Sequence, residues 1–194
     1  MAAKIVTTCM IALVGLGFAS SATAQFETSD TSPMGIGIAF YRPSDGKLRE
    51  LNKTWIGPTL QFHVKRDQQG RPTAYVSIGW HSATKDWARA NAFTVGSTLI
   101  KRYGGEETCW YVGGGLDVWF THFEDYEFDP AVSYYRRVSD NDALFGYGIV
   151  FGREFGGGWY FEAKRDRLAT MRRDVGPGVN FSGWTISFGS RLAY

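Results

Sequence analysis

Eight segments of the chain alternate between large apolar residues and small or polar residues, and this period of two constrains the fold most. Successive residues of a β-strand point to opposite faces of a sheet, so each segment has one apolar and one polar face. In the last segment, Trp184, Ile186 and Phe188 alternate with Gly183 and Thr185. The pattern predicts eight β-strands, at about residues 34–42, 54–65, 73–82, 92–103, 108–121, 143–155, 158–168 and 181–194.

Two barrel architectures produce this alternation, and they differ in which face points inward. In a soluble barrel the apolar face fills the core, whereas in a membrane barrel it contacts lipid and the polar face lines the lumen. The interior of an eight-stranded barrel is only wide enough for side chains to fill. Large apolar residues from all eight segments would overcrowd it, and the many glycines would lie outside, where they weaken a strand. The sequence therefore predicts an all-β fold, an eight-stranded antiparallel up-and-down transmembrane β-barrel. A secreted soluble barrel that binds a small apolar ligand is the alternative.

The lengths of the connections are also typical of a membrane barrel. Those after the odd segments are long, about residues 43–53, 83–91, 122–142 and 169–180, and those after the even segments are short. An even number of strands places both ends of the barrel at the side of the short turns. Aromatic residues of the apolar face mark two predicted water–lipid boundaries, with Tyr103, Trp110, Phe155, Trp159 and Tyr194 at the short turns and Phe40, Trp80, Phe120 and Trp184 at the opposite end.

The N-terminal residues have the layout of a cleaved secretory signal. Lys4 is the only charge before Glu27, and an apolar stretch at residues 10–18 precedes an A-x-A sequence that ends at Ala24. This stretch is shorter than the roughly 18 residues of a membrane-spanning helix. We therefore predict a signal peptide at residues 1–24, cleaved near Ala24, and a single barrel domain at residues 25–194.

Charge and cysteine content exclude other classes of protein. The chain has 21 basic and 19 acidic residues, so removing Lys4 with the signal leaves a net charge of +1, which does not favour nucleic-acid binding. Cys109 would be alone in the mature domain, so an intramolecular disulfide is not expected. No spacing of histidines suits a metal, and no motif for a cofactor is present.

Glycines and aromatics recur together in one long run, FGYGIVFGREFGGGWYFEAK, which extends from Phe145 to Lys164. It resembles the sixth and seventh strands of small outer-membrane barrels, including outer membrane protein X and the transmembrane domain of outer membrane protein A. The last segment, ending in Tyr194 where many members end in Phe, resembles the signal that their barrel-assembly machinery reads. The resemblance implies a location in the cell outer membrane, contact with membrane lipid and lipopolysaccharide, and insertion through the C-terminal strand. We expect a monomer.

The polar faces carry charged residues that would lie inside the barrel. A buried carboxylate is costly unless it is paired, so we expect a polar network in the lumen formed by Glu162, Arg191, Lys164, Asp117, Glu154 and Arg102. Pairing Trp159 with Tyr194 across the last hairpin would place Glu162 opposite Arg191, and the turn before it would place Gly152 opposite Glu162. Such charges form either a plug or an ion path, and the narrow lumen favours the plug.

The predicted function is a structural or surface-binding role in the envelope, without a catalytic site. Some eight-stranded outer-membrane barrels modify the acyl chains of lipid A, and this enzyme activity is the alternative. Catalysis of that kind needs a nucleophile beside a base, but none of His63, His81 and His122 has a serine suitably placed on the same face.

Two features of the predicted outer end suit binding. Several basic residues form a candidate glycolipid-binding rim, or only solubilise the loops: Arg42, Arg89, Arg165, Arg167, Arg172 and Arg173. The aromatic-rich segment 122–142 is either a binding loop or a strand extension above the membrane.

Overall fold

The computed structural model describes residues 34–66, 72–105 and 108–192. The predicted signal peptide at residues 1–24, the connection at 67–71 and the terminal Tyr194 lie outside these ranges. No helix within the described ranges is long and apolar enough to cross a bilayer.

The described residues form a closed antiparallel barrel of eight strands in up-and-down order, as predicted. The strands are β1 (Met34–Pro43), β2 (Trp55–Arg66), β3 (Pro72–Lys85), β4 (Ala88–Gly104), β5 (Cys109–Asp129), β6 (Tyr134–Glu154), β7 (Trp159–Leu168) and β8 (Gly183–Leu192). Each strand pairs with its neighbours in sequence, and β1 pairs with β8 from Met34 opposite Leu192 to Pro43 opposite Gly183. This last pairing closes the barrel and leaves no open sheet edge within the barrel wall.

Two short helical elements lie in the connections. Helix α1 (Gly46–Leu51) follows β1, and the Asp45 side chain caps it by accepting a hydrogen bond from the Lys47 backbone N–H at 2.9 Å. A single 3-10 turn, Gly156–Gly158, joins β6 to β7. Gly157 and Gly158 have φ angles of +79° and +80°, which glycine adopts without steric cost. These glycines therefore permit the tight turn that the sequence predicts there.

Side-chain exposure shows which face points inward. Large apolar residues of alternate positions face outward, with Leu99 and Ile149 exposed by 69% and 65%. Polar residues of the other face, including Gln61, Asp117 and Glu162, are buried. An apolar exterior around a polar interior is the arrangement of a membrane barrel. The prediction of face orientation is confirmed, and the alternative of a soluble barrel with an inward apolar face is wrong.

Two of the predicted long loops are largely strand. In place of the loop at 83–91, β3 continues to Lys85 and β4 begins at Ala88, so only Asp86 and Trp87 form the turn. In place of the loop at 122–142, β5 and β6 run for 21 residues each, which confirms the strand extension. Beyond the lipid, both faces of a strand meet water or polar groups. Apolar alternation is then not required, so the alternating pattern ends before the strands do.

An apolar cluster closes the barrel at the end of the long connections. Leu48 and Leu51 of α1 pack there with Met171, Val179 and Phe181, which belong to the connection between β7 and β8. Backbone hydrogen bonds join Met171 and Val179 in both directions. We call these five residues the apolar plug.

Candidate functional site

The charged residues predicted for the lumen lie inside the barrel in three groups. At the short-turn end, Glu154 forms ion pairs with both Arg102 and Arg191. Arg102 Nη1 also lies 3.2 Å from Cys109 Sγ. A carboxylate between two guanidinium groups is a strong, charge-assisted arrangement that holds three strands, β4, β6 and β8, together.

The second group surrounds Glu162 on β7, which is almost completely buried. The hydroxyls of Tyr75 and Tyr111 donate hydrogen bonds to Glu162 Oε2 at 2.6 and 3.0 Å. Gln61 Nε2 lies 3.5 Å from both carboxylate oxygens, which is too long for a strong hydrogen bond. Neutral phenol donors from β3 and β5 therefore take the place of water around this carboxylate.

The third group centres on Lys164, also on β7. Its Nζ forms ion pairs with Asp117 on β5 and with Asp166, whose Oδ1 lies 3.2 Å away. Gly148 makes room for the group, since a Cβ at this position would come within 2.6 Å of both Asp166 Oδ1 and Lys164 Cε. The lysine and its two carboxylates thus fill the middle of the barrel beneath the apolar plug.

A small polar cavity of about 40 Å³ lies between the second and third groups. Its lining includes Gln61, Asp117, Glu162 and Lys164. Gln61 Oε1 and Asp117 Oδ2 are buried without a protein hydrogen-bond partner. A polar cavity of this size takes a few water molecules, and these would satisfy the two oxygen atoms.

The register of the last hairpin differs from the prediction. Trp159 pairs with Ser190, so Glu162 lies opposite Ser187 and the predicted contact between Glu162 and Arg191 is wrong. A shift of four residues keeps every side chain on its predicted face. Tyr160 lies opposite Gly189, where a Cβ would come within 2.7 Å of the tyrosine hydroxyl. The predicted register would instead place an alanine opposite this tyrosine.

The predicted pairing across the preceding turn is confirmed. Gly152 lies opposite Glu162, and the Phe155 backbone N–H donates to the Trp159 carbonyl at 2.8 Å. A Cβ on Gly152 would come within 2.1 Å of the Tyr111 ring. The absent side chain therefore makes space for a tyrosine that binds Glu162.

The surroundings of two histidines do not resemble a hydrolase site. His81 packs against the rings of Tyr41 and Trp119, which also contact each other. His122 Nδ1 lies 2.9 Å from Asn141 Oδ1, and its Nε2 lies 3.6 Å from Glu124. Neither set of contacts includes a serine nucleophile. In the part of the chain that the structure describes, no group of three or more His, Cys, Asp or Glu residues is arranged to hold a metal ion.

The six arginines of the predicted rim do not form one patch. Arg42, Arg165 and Arg167 lie on β1 and β7, which both flank β8. Arg89 is exposed on β4, on the far side of the barrel, and Arg172 is exposed in the connection after β7.

Arg173 requires a correction, because its side chain is 0% exposed. Its Nη1 lies 2.6 Å from Glu127 Oε1, and its Nε lies 3.1 Å from Asp140 Oδ2. The guanidinium also lies over the Phe123 ring, 4.7 Å from the ring centre. Arg173 therefore fastens the connection after β7 to the β5–β6 hairpin, and it is not part of a surface rim.

Glu127 joins three connections at the end of the barrel that carries the long connections, and no sequence pattern predicted this. It lies on the extension of β5 and binds Lys47 of α1 as well as Arg173. Partial burial raises the pKa of Glu127, but the hydrogen bonds and positive charges of these two residues outweigh it and hold the pKa below its ordinary value. We call Lys47, Glu127 and Arg173 the latch.

Comparisons with solved structures identify the fold. Neisserial surface protein A is similar with a TM-score of 0.56 and 10% identity, over 84% of this chain and 96% of that chain. The chain has the fold of a small outer-membrane β-barrel. No family model matches it, and no curated relative does.

Two further solved structures are similar to this barrel. The N-terminal β-barrel domain of Pseudomonas aeruginosa OprF has a TM-score of 0.46 at 13% identity, over 84% of this chain and 98% of that chain. Ail of Yersinia pestis, in complex with the heparin analogue sucrose octasulfate, has a TM-score of 0.37 at 14% identity, over 82% of this chain and 97% of that chain.

Proposed function

We propose that the protein is an outer-membrane β-barrel that strengthens the envelope and contacts lipid and lipopolysaccharide at the cell surface, without catalysing a reaction. A signal peptide at residues 1–24 is cleaved near Ala24. The barrel domain at residues 25–194 is inserted by the barrel-assembly machinery, acting on the C-terminal strand, and functions as a monomer.

The apolar exterior between two aromatic bands carries this proposal. On β5, Trp110 and Phe120 both face outward at the ends of an apolar row. The ten residue steps from Trp110 to Phe120 extend about 33 Å along the strand. With the usual strand tilt of about 40°, this length spans about 25 Å of bilayer, which is the height of the apolar band in outer-membrane barrels.

The filled interior supports a structural role rather than transport. The three charged groups lie in the lumen, and the apolar plug closes the outer end. The cavity between them is far smaller than a channel for solutes. The lumen residues therefore act as internal supports of the barrel wall.

Cell fractionation, followed by electrophoresis of the detergent-extracted protein with and without boiling, tests the proposal. We expect the protein in the outer-membrane fraction, with a different mobility when unheated because the folded barrel resists the detergent. A protein that is soluble without detergent would contradict the proposal. Mass spectrometry of lipid A incubated with the purified barrel tests the absence of catalysis, and any gain or loss of acyl chains would contradict it.

The orientation can be tested with single cysteines, because the native Cys109 is buried. Ala131→Cys lies in the exposed turn of the β5–β6 hairpin, and Gly156→Cys lies in the exposed turn after β6, at a glycine without a positive φ. We expect a membrane-impermeant maleimide to label Ala131→Cys but not Gly156→Cys on intact cells. The reverse pattern would invert the orientation.

A further inference from the structure

Two arginines flank a tryptophan in one row on the outside of the barrel. Trp184 of β8 pairs with Arg42 of β1 on one side and with Arg165 of β7 on the other. Directly paired residues point to the same face, so all three side chains project outward. The two arginine Cα atoms are two strand spacings apart, or about 10 Å. Arg167 projects from the same face, two residues farther along β7.

The neighbouring groups hold Arg165 in place without neutralising its charge. The Arg165 guanidinium lies 5.6 Å from the centre of the Trp184 ring, and its Nη1 donates to Ser44 Oγ at 2.8 Å. Arg167 lies opposite the exposed Tyr147 on β6. Aromatic and hydroxyl contacts position a guanidinium while leaving its charge and other donors available.

None of these three arginines has an ion-pair partner among the described residues. Arginines that contact the β5–β6 hairpin do have acidic partners. Arg136 pairs with Asp129, Arg137 with Glu124, and Arg173 with Glu127. Three unpaired positive charges on the two strands that flank β8 repel one another and attract an anion.

The row lies at the edge of the lipid-facing surface. The next outward-facing residues toward the membrane are Phe40, two residues before Arg42 on β1, and Ile186, two residues after Trp184 on β8. Both are exposed apolar residues. Lipid phosphates occupy the layer immediately beyond the hydrocarbon. The guanidinium groups of Arg42, Arg165 and Arg167 are therefore at the depth of these phosphates.

We propose that Arg42, Arg165 and Arg167, arranged around Trp184, bind the phosphate groups of glycolipid in the outer leaflet. Each guanidinium presents a planar fork of donors that matches phosphate oxygens, and the tryptophan ring contacts the adjoining lipid. The proposal rests on the proposed function, because this end of the barrel must face the outer leaflet. It replaces the predicted six-residue rim by one site that spans β7, β8 and β1.

The test compares two triple variants with the same change in charge. One carries Arg42→Gln, Arg165→Gln and Arg167→Gln, and the control carries Arg49→Gln, Arg89→Gln and Arg172→Gln at exposed positions elsewhere. Binding of bisphosphorylated lipid A, and of lipid A with its phosphates removed, is measured on the detergent-extracted barrel by native mass spectrometry. The mobility of unheated protein confirms that each variant is folded.

We expect the first variant to bind bisphosphorylated lipid A about tenfold more weakly or worse, because charge-assisted hydrogen bonds to phosphate are lost. The control variant should bind like the unmodified protein, and the lipid without phosphates should bind weakly to all three. Equal losses in both variants would overturn the proposal, since the effect would then be one of net charge. Competition by inorganic phosphate at concentrations similar to those of the lipid would also overturn it.

Failure of this inference is distinguishable from failure of the proposed function. A barrel that fractionates with the outer membrane but binds both lipids equally overturns the phosphate site alone. A protein absent from the outer membrane overturns both.

Discussion

The lumen and the apolar plug fill the same barrel with different chemistry. In the lumen, charged side chains come from the strands themselves, as Lys164 does, and its partners lie on its own strand and on β5. In the plug, apolar side chains such as Phe181 come from the connections, and the latch holds them in place. Loss of a lumen partner therefore weakens the whole barrel wall, whereas loss of a plug contact frees a connection while the wall remains closed.

The largest effect is expected from Lys164→Met in the lumen. The substitution leaves Asp117 and Asp166 buried without their shared cation, which costs about 3–5 kcal/mol of unfolding free energy. Denaturant unfolding in detergent, followed by tryptophan fluorescence, measures the loss. Lys101→Met is the control, because Lys101 is exposed on the outer face and should change stability by less than about 0.5 kcal/mol. Similar losses in the two variants would contradict the importance of the buried pairs.

Phe181→Ala tests whether the plug is separate from the wall. The side chain is completely buried, and its removal costs about 3 kcal/mol of local packing energy. We expect faster proteolysis of the connection at residues 169–182, with the unheated gel mobility retained. Phe188→Ala, on the lipid-facing side of β8, should not increase this proteolysis. Loss of the unheated mobility without proteolysis would show that the plug and the wall unfold together.

Gly152→Ala acts on the lumen without removing a charge. The new methyl group would overlap the Tyr111 ring and displace the hydroxyl that binds Glu162. Overpacking of this kind costs about 1–3 kcal/mol, measurable by the same denaturant unfolding. Gly114→Ala is the matched control, because its nearest neighbour, the Gly148 carbonyl oxygen, is 3.3 Å from the new Cβ on the outer face. A larger effect of the control would contradict the role assigned to Gly152.

The smallest effect is expected from Glu127→Gln in the latch. Because the pKa of Glu127 is held below its ordinary value, the ion pairs stabilise the folded connections above the ordinary glutamate range and are lost as the pH falls through the lowered pKa. Solvent screening limits this contribution to about 1 kcal/mol or less.

Limited proteolysis of residues 169–182 against pH measures this effect. Proteolysis of the unmodified protein should accelerate in acid, whereas Glu127→Gln should already be faster at neutral pH and less sensitive to acid. Glu50→Gln, exposed on α1, is the control and should behave like the unmodified protein. If proteolysis of Glu127→Gln depended on pH in the same way as that of the unmodified protein, this result would contradict the role of Glu127 in the latch.

The two hairpins of β7 show how far the sequence predicts contacts in the site. The short glycine turn before β7 fixes the register, so the position of Gly152 opposite Glu162 follows from counting residues. The connection after β7 is long, and alternation alone permits any even shift of β8. The predicted pairing of Trp159 therefore failed, and Glu162 binds tyrosines while Arg191 binds Glu154.

The sequence by itself determined the number of strands, the face to which each side chain points, and the lipid-facing exterior. These properties depend on the period of the backbone and on residue size, which are local. The tertiary structure decided which charges meet in the lumen, how far the strands extend beyond the membrane, and what closes the outer end. Glu127 meets Lys47 from 80 residues earlier in the chain. Closure of the barrel alone brings such distant residues together, because it fixes the position of every connection above the same opening.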